Sequence, residues 1–119
     1  MTYDSPILEH MVRKEYKAIG EHCYSIAQVL WVFMYYLCTY QNEIGREHPN
    51  IKAAQVRRII EAMPYVGDCH ERMSDIEPED YSAMIDRHFK TKYQDGCDYN
   101  INHFFSGDIR QMRIYDAVL

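Results

Sequence analysis

From Cys23 to Tyr40 the chain runs CYSIAQVLWVFMYYLCTY, eighteen residues without a charge. No other feature restricts the fold so tightly. Only Ser25, Gln28 and Thr39 interrupt the aliphatic, sulfur and aromatic side chains, and the flanks on both sides are charged and amphipathic. The uncharged window from His22 to Asn42 is long enough to raise the question of a membrane span. Its pattern answers against one. Trp and Tyr in a spanning helix belong at the two headgroup levels, whereas Trp31, Phe33, Tyr35 and Tyr36 sit in the middle of this run. A Tyr hydroxyl or Gln amide in hydrocarbon would lack a partner, at a loss of a few kcal/mol.

The run is also too long for a strand and shows no alternation of period two. A helix that is apolar on every side is an interior helix. We therefore expect a central helix over about residues 22–44, stopped by Gly45 and about 33 Å long at the rise of an α-helix. Trp31, Phe33 and Leu37 should all be shielded from water.

Amphipathic helices are expected around it. Ser5-Pro6 makes a helix opening, with Ser as N-cap and Pro in first position. Leu8, Met11, Val12, Glu15 and Ile19 then share one face, Arg13, Lys14 and Lys17 take the other, and Gly20 marks the end or a bend into the central helix. Asn50 can cap a helix over 51–63 closed by Pro64, with Ile51, Ala54, Val56, Ile59, Ile60 and Met63 as its apolar stripe. Gly67-Asp68 suggests a turn and residues 69–73 a short helix. Glu77-Pro78-Glu79-Asp80 opens another helix, with acids complementing the dipole of its first turn. Its inner stripe is Tyr81, Met84, Ile85, His88 and Phe89, and Gln94-Asp95-Gly96 ends it. Residues 97–105 read as an extended aromatic segment, and Ser106 as the cap of a last helix over 107–118. The expected architecture is all-α, a small bundle of about five helices in a single domain, residues 1–119.

Composition bounds function. A net charge of −5 argues against general affinity for nucleic acid. Met1 to Lys14 has no apolar core of a signal peptide, so four Cys read as reduced thiols in a cytoplasmic protein. Zinc-type ligands exist in Cys69, His70, His88, Cys97 and His103. Their spacing matches no zinc finger, and packed thiols with locally bonded His explain them as well, so no cofactor is expected. Asp86, His88 and Cys97, or Asp98, His103 and Asp108, contain the residue types of an acid–base–nucleophile set. No oriented base or oxyanion site is visible, and an enzyme is not expected.

A basic face of Lys52, Arg57 and Arg58, with Arg110 and Arg113, would suit a nucleic-acid regulator. Residues 43–63 would then form a helix-turn-helix corner. Protein association fits better. Eleven Tyr exceed what a five-helix core needs if each hydroxyl must find a partner, and interfaces favour Tyr, Met and Arg. The expected partner face, for another protein or a second copy, is Tyr99, Phe104, Phe105, Arg110, Met112, Arg113 and Tyr115. The closing stretch Tyr99-Asn100-Ile101-Asn102-His103-Phe104-Phe105-Ser106-Gly107, followed by an Arg/Tyr helix, resembles the tails of small helical proteins carried by phages and mobile elements. That resemblance includes no functional motif and implies no residue roles.

Overall fold

The computed structural model describes residues 6–65, 76–94 and 96–117, less the side chains of Asp108, Gln111 and Tyr115. Among them are six helices and no strand: α1 (Pro6–Ile19), α2 (Ile26–Ile44), α3 (Ala53–Ala62), α4 (Asp80–Lys90), α5 (Ile101–Phe104) and α6 (Gly107–Ala117). The all-α bundle around a central helix holds. α2 lies between an α1–α3 pair on one side and an α4–α6 pair on the other. The expected Ser5 cap, the 67–68 turn and the 69–73 helix fall outside the described residues.

α2 starts later than residue 22 because Ser25 and Gln28 form a capping box. The Gln28 N–H donates to Ser25 Oγ at 3.1 Å, and the Ser25 N–H to Gln28 Oε1 at 2.8 Å. Two residues that look like gaps in an apolar run are thus its start signal. Gly45 stops the helix as expected, in the left-handed region (φ 84°) with its N–H on Gln41 O. α1 does not bend into α2. Gly20 at φ 89° turns the chain out, and His22 pins the link: its Nδ1 accepts from Tyr24 N–H at 3.0 Å and its Nε2 donates to Ile60 O at 2.7 Å.

Other limits move too. α3 begins at Ala53, with Gln55 Oε1 accepting from the Lys52 N–H at 3.0 Å, so Asn50 is not its cap, and Ala54 lies exposed rather than in the stripe. α4 ends at Lys90 because Thr91 turns extended, short of the expected Gln94-Asp95-Gly96. Residues 97–105 are not one extended segment: Asn100 caps the single turn α5 through Asn102 N–H at 2.9 Å.

The core is continuous from Leu8 and Val12 through Val29, Val32, Phe33, Tyr36 and Leu37 to Val56, Ile60, Tyr81, Met84, Ile85, Ile101 and Phe104. Phe33 and Leu37 are shielded as expected. Trp31 is not; it is 41 % exposed. One stripe of α2 therefore faces out, because α1 and α4 cover only part of its circumference.

Phe33→Ala should lower stability by about 3–5 kcal/mol through a buried cavity, and Ser25→Ala by about 1 kcal/mol through the lost cap. Urea unfolding of both variants beside the parent checks the two figures.

Candidate functional site

The expected C-terminal partner face is largely interior. Phe104 is fully buried and Phe105 9 % exposed. Arg110, 2 % exposed, directs Nη1 onto Ala62 O and lies over the Phe105 ring. Arg113, 7 % exposed, donates to Thr91 Oγ1 at 2.6 Å and pairs with Asp116 at 3.1 Å. Tyr99 is half-buried, its hydroxyl on Thr91 O at 2.5 Å. Of the expected set only Met112 stands well exposed, and the side chain of Tyr115 is outside the description. Phe104 and Phe105 join the core, while Tyr99, Arg110 and Arg113 end in polar atoms that find carbonyl, hydroxyl and carboxylate partners within the fold.

The tyrosines explain the same way. Tyr16 donates to Tyr24 O at 2.7 Å, Tyr36 to Tyr99 O at 2.7 Å and Tyr81 to Met63 O at 2.5 Å, while Tyr24 donates to Ile76 O. Burial pushes the Tyr81 phenol up to about 12 in spite of Arg110 beside it, and pushes Tyr24 and Tyr36 up further. All remain protonated donors at neutral pH. Among the described residues, these hydroxyls account for much of the apparent surplus of Tyr inside the fold.

What the surface offers instead is the outer stripe of α2. The Trp31 ring lies 5.4 Å from that of Tyr35, tilted at 45°, and the Tyr35 hydroxyl donates to Asp86 Oδ1 of α4 at 2.8 Å. Ala27, Gln28, Trp31, Pro78 and Glu79 line a shallow groove there. Exposed Glu79 puts negative charge on it, and exposed Asp86 adds charge beside Tyr35 farther along the stripe. No sequence signal separated Trp31 from the buried part of the run.

The basic set comes apart. Lys52, Arg57 and Arg58 are exposed on α3, but Arg57 Nε is on Glu15 Oε1 at 3.0 Å, and Arg110 and Arg113 are interior. α3 packs on α1 and not as the second member of a corner with α2.

The acid–base sets fare differently. Asp86 points outward, while His88 is fully buried and both its nitrogens are engaged, Nδ1 with Tyr93 Oη at 2.6 Å and Nε2 with Tyr36 Oη at 3.1 Å. The Tyr36 hydroxyl proton is committed to Tyr99 O, so Nε2 carries the imidazole proton and Nδ1 accepts from Tyr93. Burial, with the positive field of Arg113 and His103, lowers His88 to about 4. His48 is held alike: Nδ1 donates to Pro49 O at 2.7 Å, Nε2 accepts from the Ile101 N–H at 2.9 Å, and burial lowers its pKa. These are neutral connectors. Of the residues with zinc-type side chains, Cys69 and His70 lie outside the described residues and His88 is consumed as above. Cys97, Asp98 and His103 do meet, their ligand atoms all within 4.8 Å of one another.

Comparison with known proteins returns no matching family model, no similar curated protein and no similar solved structure. The likeness of residues 99–107 to phage and mobile-element tails thus gains no support.

His88 makes stability fall with acid. Its folded pKa lies below the unfolded value of about 6.5, so its contribution is whole above pH 6.5 and is lost as pH drops toward 4. The loss should reach about 2 kcal/mol by pH 5 and about 3 kcal/mol by pH 4, at 1.36 kcal/mol per unit. In urea titrations between pH 7.5 and 4, the stability gap between the parent and His88→Gln should narrow by those amounts; a constant gap would refute the neutral connector.

Proposed function

We propose that the chain is a non-enzymatic docking module that binds a basic amphipathic segment of another protein along the outer stripe of α2. The observation that carries this is the exposure of Trp31, the chain's single Trp, on a helix whose Phe33, Tyr36, Leu37 and Tyr40 are buried. Trp is among the residues that most often dominate binding energy. Ala27, Trp31, Met34, Tyr35 and Cys38 recur at spacings of three and four, which suits an apolar helix face laid alongside. The acidic edge of Glu79 and Asp86 and the net charge of −5 favour a partner carrying Lys or Arg. The same negative charge disfavours a second copy. The face of Lys52, Arg57 and Arg58 supports a nucleic-acid reading less well, since Glu15 takes up Arg57 and Arg110 and Arg113 are inside.

Trp31 is also the probe. A synthetic amphipathic helix with Leu anchors and a Lys/Arg face should bind saturably, shift Trp emission to the blue and weaken with salt. Its Glu-faced counterpart should not bind. Trp31→Ala should lower affinity at least about tenfold, followed by labelled-peptide anisotropy, while its unfolding midpoint stays near the parent's. Equal binding of both peptides, or unchanged binding by Trp31→Ala, would refute the assignment. A concentration-dependent doubling of mass abolished by Trp31→Ala would give the stripe to a second copy, and a salt-sensitive shift of mixed DNA lost in Arg58→Glu would give the function to α3.

A further inference from the structure

We propose that Cys97, Asp98 and His103 form a binding site for a zinc-class divalent metal ion, independent of the α2 stripe. A thiol, a carboxylate and an imidazole are the ligand types of protein zinc, and three of them leave a fourth tetrahedral position for water or a further donor. All three come from one short stretch, the link after α4 and the single turn α5. Two backbone features fold that stretch back on itself. Gly96 has φ 79°, and Tyr99 sits at φ 58°, an uncommon conformation for a residue with a Cβ. The result sets the Cys97 and Asp98 side chains against His103 rather than along an extended strand.

The atoms are already disposed as donors. The Tyr99 N–H donates to Cys97 Sγ at 3.3 Å. The Asn100 N–H donates to Asp98 Oδ1 at 3.0 Å. His103 Nδ1 lies 2.7 Å from that same carboxylate oxygen. The two backbone donors orient thiolate and carboxylate as outer partners do in metal sites. An Asp98–His103 ion pair would account for two members of the cluster; it gives no reason for Cys97 Sγ to join them. Tetrahedral bonds of about 2.0–2.3 Å place ligand atoms about 3.3–3.7 Å apart. The present group, within 4.8 Å overall, reaches that spacing if the sulfur closes by at most about an ångström and the Asp98–His103 contact opens by less.

Binding requires no redox partner. The Cys97 thiol gives its proton to solvent. The Nδ1 proton that His103 directs at Asp98 leaves to solvent and Nε2 takes one up from it, so the neutral imidazole ligates through Nδ1 with its proton on Nε2. Asp98 and His103 are exposed and Cys97 half-buried, so the ion enters from water without unfolding and each ligand can be replaced without opening the core.

The test uses the whole chain, stripped with a chelator and reduced. Zn²⁺ alone should bind by calorimetry at one equivalent, and Co²⁺ alone should give a thiolate-to-metal charge-transfer band that Zn²⁺ bleaches. Cys97→Ser should abolish the band. Cys97→Ser and His103→Gln should each weaken Zn²⁺ at least about 100-fold, because even outer partners are worth 10–100-fold. Cys69→Ser should change nothing. Absence of stoichiometric binding overturns the site, as does a band that survives Cys97→Ser or disappears in Cys69→Ser. Circular dichroism of the metal-free variants should match the parent.

Discussion

The whole arrangement hangs on how the C-terminal end of α3 is satisfied. A helix leaves its last carbonyls without intrahelical donors, and Pro64 prevents this one from continuing. Here those carbonyls point into the molecule, where an unpaired one would be destabilising by about 1–3 kcal/mol. Side chains from every layer converge on them. His22 reaches Ile60 O at 2.7 Å, Arg110 reaches Ala62 O, and Tyr81 reaches Met63 O at 2.5 Å with Tyr24 beside it. The cation of Arg110 also meets the negative end of the helix dipole. The link before α2, the start of α4 and the whole of α6 are thereby referenced to one helix end.

The features legible in the sequence were the ones set by neighbours in the chain. Pro6 and Gly20 bound α1, Gly45 ends α2, and the stripe Tyr81, Met84, Ile85 and His88 faces inward, because caps and periodicity act within a few residues. The illegible part depended on distant partners. Nothing near Ile101 says that its N–H will rest on His48, fifty-three positions earlier, and that bond helps turn an apparently extended aromatic segment into α5. Arg110 and Arg113 read as surface in the sequence for the same reason: Arg is rarely fully buried unless paired, and the Ala62 carbonyl and the Tyr81, Thr91 and Tyr93 hydroxyls that hold them lie far along the chain. Trp31 was misplaced in the opposite sense. An apolar run shows that a helix can be buried on every side, and only its neighbours decide whether it is.

The candidate site divides along the same line. Cys97 and His103 could be named from residue type, but Asp98 entered an acid–base set rather than a ligand set, because its meeting with both depends on the left-handed Tyr99. Zinc-finger spacing rules assume ligands carried on hairpins and helices of fixed geometry. A ligand group folded by one unusual dihedral falls outside them.

Buried polar networks with every member paired are rigid and specific. His48 and His88 are fully paired within the interior as neutral imidazoles, each accepting at one nitrogen and donating at the other. The Tyr36 ring sits between them, within ring-contact distance of both, and belongs to α2, the helix that also carries Trp31 five residues earlier on another face. The inner face of α2 is fixed by hydroxyl and imidazole geometry, whereas the outer stripe makes one such bond, Tyr35 to Asp86. A side chain held on a rigid helix but uncovered loses little freedom when a partner covers it, so most of the apolar area it then buries remains as affinity. The polar interior is in this sense what makes an exposed Trp31 useful rather than merely a liability.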